Sequence, residues 1–407
     1  MRVLFLAPFP PRLDSVHGGG RVMGQLIHHL GERHCVGVLY LRGEGESGID
    51  PAIEARCDAV WEIARPGIPD AREHPWGFRW RFVKRHLQGL PGWVLDWRSK
   101  EYSDQLDAAI EVWSPDVIQS EFSVMGQYLP TVRDKRIPRV LTVYEPTAHA
   151  ARERPLRPRR RAWELFLESV SWRRYERSVI ASSSAVVVFT ERDQALIRGM
   201  SPQARVEYIP PGVELPQEPL DPLGCSPPSI VFIGNFDHPP NADAAERLAS
   251  SIFPKVRETI PDLTLFIVGD RAPDHLREMA NESTVVTGWV PSVVPYLNRA
   301  NLVVAPLRTG GGIRIKILEA LAAGKAIVAS PRAVEGIPIQ PDVHFVLADD
   351  DQRFAAAITL LIEHDRCRNE LATNARAWAV ANLGWDLRIT CYEQLYTSLI
   401  EDASRNK

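Results

Sequence analysis

Short apolar runs punctuate this chain, and most are separated by stretches with a helical period. In the first half they are RVLFLAPF (2–9), CVGVLYL (35–41), DAVWEI (58–63), PDVIQSEF (115–122), RVLTVYE (139–145) and SAVVVFT (184–190). In the second half they are SIVFIGNF (229–236), LTLFIVGD (263–270), TVVTGWV (284–290), NLVVAPL (301–307), AIVAS (326–330) and HFVLAD (344–349). A half-buried strand alternates apolar with polar residues. Near-continuous runs instead predict parallel strands buried on both faces. Between them, Met23, Leu26, Ile27 and Leu30 form one stripe of a helix, and NADAAERLASSIFPKVRETI reads as another. The tail from Asp349 to Lys407 is helical in pattern. Strand and helix in alternation, twice over, predict two α/β doubly wound domains. The join, IPPGVELPQEPLDPLGCSPPS (209–229), holds too much proline for a helix or an interior strand and is expected to be a linker. The expected division is a Rossmann-like domain over 1–208, a linker over 209–228, a second Rossmann-like domain over 229–384, and a helix over 385–407 packing back on the first domain.

Composition narrows the class without naming an activity. A chain of 407 residues, 45% hydrophobic and 24% charged, is that of a soluble two-domain protein. A net charge of −3 gives no global case for nucleic-acid binding. The cysteines (Cys35, Cys57, Cys225, Cys367, Cys391) are scattered and show no metal-ligand spacing, so they read as reduced thiols. The start, MRVLFLAPFPPR, reads as a first strand, and no uncharged apolar stretch approaches the length of a membrane span. A cytoplasmic location is expected, with peripheral contact at the inner face of the cell membrane left open.

The most informative stretch is TGGGIRIKILEALAAGK (309–325), which follows the run NLVVAPL and so lies at the carboxyl end of a strand, where doubly wound domains bind ligands. Two cations in the first turn of a helix oppose the positive end of its dipole unless an anion is present. Helical steps from Gly312 put Lys316 and Glu319 on its face, so Lys316 is placed to meet a phosphate and Glu319 a sugar hydroxyl. Arg314 reaches the same ligand only if the first turn is loose. A second glycine cluster, VHGGGRVMG (16–24), lacks the dinucleotide spacing, and no acid ends the next strand, which argues against a dehydrogenase. ADDDQ (348–352) reads as a solvated helix start, so no metal site is expected. The segment 74–102 interleaves tryptophan with arginine and lysine, and 151–166 is densely basic, a composition suited to a membrane interface or a lipid-linked anionic acceptor.

Together these blocks resemble family 4 of the retaining nucleotide-sugar glycosyltransferases, which have the GT-B fold. The resemblance runs over nearly the whole chain and is strongest from Ile230 to Tyr396. It rests on ILEALAAGKAIVAS, EGIP (335–338), LGWDLRITCYEQLY, YIPPGVEL and FIGNFDHPPNADA. The resemblance implies two Rossmann-like domains facing across a cleft, with the C-terminal helix crossing back. It implies that Glu319 binds the donor ribose, while Arg314 and Lys316 hold the donor diphosphate. It further implies that Gly19 and Gly20 lie beside the phosphates, with Gly311, Gly312 and Ile313 in the donor loop. The nucleobase meets backbone at Gly288, Trp289 and Val290, and Asn235 stands near a usual phosphate-binding arginine. The chain departs from the family pattern at Gly311, where the first glutamate of a spaced pair is usual. It departs again at Tyr144, where a strand often ends in histidine; Tyr144 and Glu145 are then the acceptor-side candidates.

The expected function is metal-independent, retaining hexosyl transfer from a nucleotide-diphosphate sugar, a UDP- or GDP-sugar, to a hydroxyl of a glycan or lipid-linked acceptor. The setting would be polysaccharide or glycoconjugate synthesis. No cofactor and no nucleic-acid partner are expected. The alternatives are an epimerase or inverting transferase of the same fold, and a sugar-nucleotide-binding protein without catalysis.

Overall fold

The computed structural model describes residues 1–15, 17–67, 89–148 and 162–405. Most of the basic aromatic segments therefore lies outside the described residues, including Trp76, Arg79, Trp80, Arg81, Lys84 and Arg85. Within the described residues the apolar runs become strands. The first sheet contains β1 (Arg2–Ala7), β2 (Cys35–Arg42), β3 (Ala59–Ala64), β4 (Val117–Glu121), β5 (Arg139–Val143), β6 (Ala185–Val188) and β7 (Val206–Tyr208). The second contains β8 (Ser229–Ile233), β9 (Thr264–Val268), β10 (Thr284–Val286), β11 (Leu302–Ala305), β12 (Ala326–Ala329) and β13 (Val346–Leu347). β7 was not among the expected strands, because three residues are too few to show a period.

Every strand pairing is parallel, in the orders β3-β2-β1-β4-β5-β6-β7 and β10-β9-β8-β11-β12-β13. The winding direction reverses between β1 and β4 and between β8 and β11. All of β4, β6, β11 and β12 is buried, which is why these strands carry no alternating polar face. Each fully buried Val, Leu or Ile contributes about 1.5–3 kcal/mol, so the two sheets dominate the stability of their units. Gly37 shows how side chains fit above a strand: a Cβ there would stand 3.1 Å from Trp113 and 3.2 Å from Trp61, an edge-to-face pair.

The helices that bear on function are α1 (Gly18–Leu30), α2 (Lys100–Trp113), α3 (Ala162–Ala181), α4 (Pro239–Arg247), α5 (Ile315–Ala322), α6 (Asp365–Asn382) and α7 (Trp385–Arg405). The chain divides into two compact units. The first is Met1–Ser15, Gly20–Pro210 and Arg388–Lys407, and the second is Val16–Gly19 and Pro211–Leu387. From Arg388 onward, α7 thus belongs to the first unit. There Ile389, Tyr392, Leu395, Tyr396 and Leu399 are buried, and the Tyr396 hydroxyl donates to Gln119 Oε1 at 3.1 Å.

The proline-rich stretch is not a loose spacer. Its backbone is tied to the second unit by Val213 N to Leu383 O (3.0 Å) and Leu220 N to Ala323 O (2.9 Å). Arg376 on α6 donates to the Pro216 and Ala322 carbonyls, and the buried Lys325 amine donates to the Asp221 carbonyl. Proline removes its own N–H but leaves its carbonyls free, and cationic side chains take them up. The division consequently falls at Pro210 and Pro211, and the remainder of 209–228 groups with the second unit.

Candidate functional site

In the second unit the glycines of residues 310–312 lie in the loop after β11 and outside any helix. Gly310 has φ 105° and Gly312 φ 67°, the left-handed region in which a side chain is strained. α5 begins only at Ile315. The expected helix from Gly312 is therefore corrected: Gly312 does not share a helical face with Lys316, although Lys316 and Glu319, three residues apart within α5, do. The first turn is loose, as a run of glycines allows.

That loop determines what Arg314 does. It caps α5 without a side-chain cap hydrogen bond, is 8% exposed, and folds back so that Nη1 donates to the carbonyls of Gly311 and, at 2.7 Å, Gly312. Arg314 thus braces the glycine loop. A Cβ at Gly310 would stand 3.2 Å from Arg314 Nη2 and 3.1 Å from Pro240, so the loop and the start of α4 pack closely.

Lys316 is arranged differently. Its ammonium donates to Asn241 Oδ1 at 2.7 Å and stands 4.2 Å from the centre of the Phe232 ring. Phe232 is on β8 and Asn241 is on α4, so the strand and helix on one side of the winding reversal hold a cation supplied from the other. Asn241 is in turn oriented by donating Nδ2 to the Asn235 carbonyl at 2.8 Å. The Asn235 carboxamide accepts from Asp237 N at 3.0 Å, which shapes the turn after β8. Asn241 was not singled out by sequence: a single amide in a proline-rich helix start carries no spacing signal.

The other expected donor residues take these places. Gly288, with φ 68°, follows β10, and its carbonyl accepts from Gly269 N at 3.3 Å. Trp289 is 57% exposed, and Val290 packs on the apolar core. Ile313 packs on the same core, and Glu319 is partly exposed one turn beyond Lys316. Gly19 and Gly20 are early residues of α1; Gly19 groups with the second unit and Gly20 with the first.

A separate cavity of about 460 Å³ in the second unit is lined by Arg247, Arg308, Arg332 and Glu335, among others. Its cations are matched by acids: Arg247 with Asp351 (2.6 Å), Arg308 with Asp243 (3.1 Å through Nε) and Arg332 with Glu335 (2.8 Å). Lys316 lies elsewhere, against the Asn241 amide and the Phe232 ring.

The first unit carries an acid at the end of β4. Glu121, the last residue of β4, is fully buried. Its carboxyl accepts from Gln119 Nε2 (3.0 Å), Thr142 Oγ1 (3.0 Å) and Tyr144 OH (2.7 Å). Burial pushes its pKa above the ordinary carboxylate range, against the pull of those three donors. Phe122, next in sequence, has φ 63° and stacks on Tyr144 with ring centres 3.9 Å apart. A positive φ is uncommon for a bulky residue and marks a conformation that its surroundings impose.

Tyr144 therefore points its hydroxyl inward to Glu121, and burial beside that carboxyl raises its pKa well above the usual value. Glu145 is partly exposed. Beyond it, Glu176 on α3 accepts from the backbone N–H groups of Thr147 (2.7 Å) and Ala148 (3.2 Å), and burial raises its pKa to about 7. Two buried carboxyls thus hold the two ends of the segment that leaves β5. Sequence reasoning missed both; the one available signal was an acid inside the apolar run PDVIQSEF.

Residues 227–364 match the family model described as Glycosyl transferases group 1. The chain is 30% identical, over 147 residues, to a phosphatidyl-myo-inositol mannosyltransferase of Mycolicibacterium smegmatis, covering 34% of this chain and 37% of that protein. The chain thus spans well under half the length of that curated relative. Among solved structures, sucrose-phosphate synthase from Thermosynechococcus elongatus superposes with a TM-score of 0.74 at 17% identity, covering 99% of this chain and 100% of that one. HepE of Anabaena, in complex with UDP and glucose, gives a TM-score of 0.65 at 14% identity with 98% of each chain covered. The fold is GT-B, the fold of these glycosyltransferase neighbours, with two Rossmann-like parallel-sheet units.

Proposed function

We propose that the protein is a retaining glycosyltransferase that moves a hexosyl group from a nucleotide-diphosphate sugar to a hydroxyl acceptor in polysaccharide or glycoconjugate synthesis. The observation that carries the reading is Lys316: a cation at the carboxyl ends of β8 and β11, fixed against the Asn241 amide and the Phe232 ring, with Glu319 one turn behind it. In such a transfer the bond from the anomeric carbon to the diphosphate breaks, the acceptor oxygen bonds to that carbon, and the leaving diphosphate gains negative charge. A fixed ammonium stabilises that charge most where it develops. In this reading Lys316 serves the diphosphate without a divalent ion, and Arg314 keeps the loop carbonyls turned away from it. Glu319 accepts from ribose hydroxyls, and the backbone at Gly288 to Val290 meets the base.

The complex of HepE with UDP and glucose supports a UDP-sugar donor, and the name of the mannosyltransferase relative supports a mannosyl group and a lipid-linked acceptor. We place the acceptor on the first unit, beside Tyr144 and Glu145. Peripheral membrane contact through 74–102 and 151–166 belongs to the same reading. Among the described residues no helix is long and apolar enough to cross a membrane.

Thermal unfolding with UDP, GDP, ADP and dTDP tests the donor site. A diphosphate at about 100 times its dissociation constant adds about 2.7 kcal/mol of stability. One of the four is expected to stabilise the wild type and not Lys316→Met. Stabilisation of both equally, or of neither, would remove the assignment. A second reading, binding without turnover, is favoured by Gly311, which leaves the usual glutamate position empty of a carboxylate. Donor binding with no product from any glycan or lipid-linked acceptor would favour it. An epimerase or inverting transferase would be recognised by the configuration of its product.

A further inference from the structure

Four adjacent strands of the first sheet, in the order β1-β4-β5-β6, each lead into an aromatic residue at the carboxyl end. Phe9 follows β1 by two residues, and Phe122, Tyr144 and Phe189 come directly after β4, β5 and β6. Their rings form one unbroken row. Phe9 meets Phe122 edge to face with ring centres 5.2 Å apart, and Phe122 stacks on Tyr144 at 3.9 Å with 7° between the planes. Tyr144 then meets Phe189 edge to face at 4.9 Å. Phe189 is buried, while Phe9, Phe122 and Tyr144 are partly exposed.

The row is fixed from several sides. The Tyr144 hydroxyl donates to Glu121 at 2.7 Å, and Gln119 and Thr142 donate to the same carboxyl at 3.0 Å each, so the hydroxyl is turned inward. At the other end Phe9 is packed close to α1, since a Cβ at Gly20 would stand 3.2 Å from its ring. Phe122 keeps its ring on Tyr144 at φ 63°, a strained conformation of the kind that gathers at ligand sites. The row also crosses from β1 to β4, where the winding reverses and doubly wound sheets bind ligands.

The chemistry of the row selects its ligand. None of the four side chains is charged, and the carboxyl beneath them is already hydrogen-bonded, so the row offers ring faces and edges. A pyranose has the matching anatomy: a face of C–H groups that packs on aromatic rings, and a rim of hydroxyls left for other partners. Neighbouring strands lie about 4.8 Å apart, so four exits span about 14 Å, room for about two or three such rings.

We propose that Phe9, Phe122 and Tyr144, backed by Phe189, form a stacking shelf on which pyranose rings of the acceptor lie face down. The proposal rests on the placement of the acceptor on the first unit. It adds the class of acceptor, a glycan held by its ring faces and not a lipid held by its chain.

Phe122→Leu and Phe9→Leu remove ring faces and keep apolar bulk. Saturation-transfer NMR on the full chain, with and without UDP or GDP, reads the binding of methyl α-D-glucopyranoside, methyl α-D-mannopyranoside and methyl β-D-galactopyranoside. n-Octyl phosphate serves as a chain without a ring. At least one pyranoside is expected to bind the wild type through its ring C–H protons. Either variant should bind it about three- to tenfold more weakly, the scale of one aromatic contact. Melting temperatures show that the variants fold; should Phe122→Leu not fold, Phe9→Leu decides alone. Binding of no pyranoside to the wild type, or equal binding by the folded variants, would overturn the shelf. Tighter binding of n-octyl phosphate, weakened by the same substitutions, would overturn it in favour of a lipid chain. Pyranoside binding at these rings by a protein that binds no diphosphate would uphold the shelf and remove the transferase reading. Diphosphate binding without any pyranoside would do the reverse.

Discussion

The two units are wound alike, and their strand exits are chemically opposite. In the second unit the chain leaves β11 through glycines in left-handed conformations and arrives at a lysine that meets an amide and an aromatic ring. In the first unit it leaves β4 at a glutamate that three neighbouring side chains have already satisfied, followed by a phenylalanine at φ 63°. The same position in the same fold is therefore used in two ways. Lys316 meets an amide and a ring contributed from across the winding reversal, whereas the polar capacity of Glu121 is spent on its own neighbours. Net charge or residue type would not separate these cases; the partners do.

The comparison breaks most visibly at Lys316. Lys316→Met keeps the apolar contact with Phe232 and removes the charge, and transfer should fall by about two to three orders of magnitude, the usual scale for one stabilising group at developing charge. The melting temperature should hardly move. A large fall in melting temperature with activity per folded molecule preserved would show that Lys316 is a structural residue after all.

At Glu121 the expectation is reversed, with stability affected first. Glu121→Ala would leave Tyr144, Thr142 and Gln119 with buried unsatisfied groups and should cost about 2–3 kcal/mol, measured by chemical denaturation. Donor binding on the second unit should stay unchanged. Glu121→Gln, which keeps the volume and one acceptor oxygen, should cost less.

The neighbouring carboxyl, Glu176, gives the pH dependence of the first unit. Its folded pKa is raised to about 7 from an ordinary 4.5, so between those values the folded state holds a proton that the unfolded chain has released. Its contribution is fully present below about pH 4.5 and is lost as pH rises through about 7. The change is up to about 3 kcal/mol, taking one pKa unit as 1.36 kcal/mol. Glu176→Gln should flatten that part of the stability profile, and an unchanged slope would refute the assignment.

The smallest effect sharpens the second unit. Gly312→Ala forces a side chain into φ 67° and should cost about 1–2 kcal/mol. Because the strained carbonyl is the one Arg314 holds, diphosphate affinity should fall along with stability. Stability lost with affinity intact would mean that the glycine loop serves only the turn.

Much of this molecule was legible in the order of its residues. The near-continuous apolar runs foretold parallel strands, because burial on both faces leaves no room for alternation. The glycine loop and the two cations at 309–325 pointed to the exit of the strand NLVVAPL, which is β11. The same reading could not say where α5 begins. Three glycines lack the side chains that cap or favour a helix, and the start at Ile315 follows from Arg314 folding onto the loop carbonyls. It could not find β7, whose three residues gain their strand character from pairing with β6.

The sequence by itself determined the two parallel sheets, because burial of a strand on both faces is written in local pattern. The tertiary structure alone decided what each charged side chain meets. Arg314 and Lys316 are two residues apart and chemically alike, yet one is folded onto its own loop and the other onto an amide 75 residues away. Glu121 gathers its partners from positions 119, 142 and 144, and Gln119 in turn meets Tyr396. The charge a group presents to a ligand depends on what surrounds it in space, and distance along the chain carries no record of that.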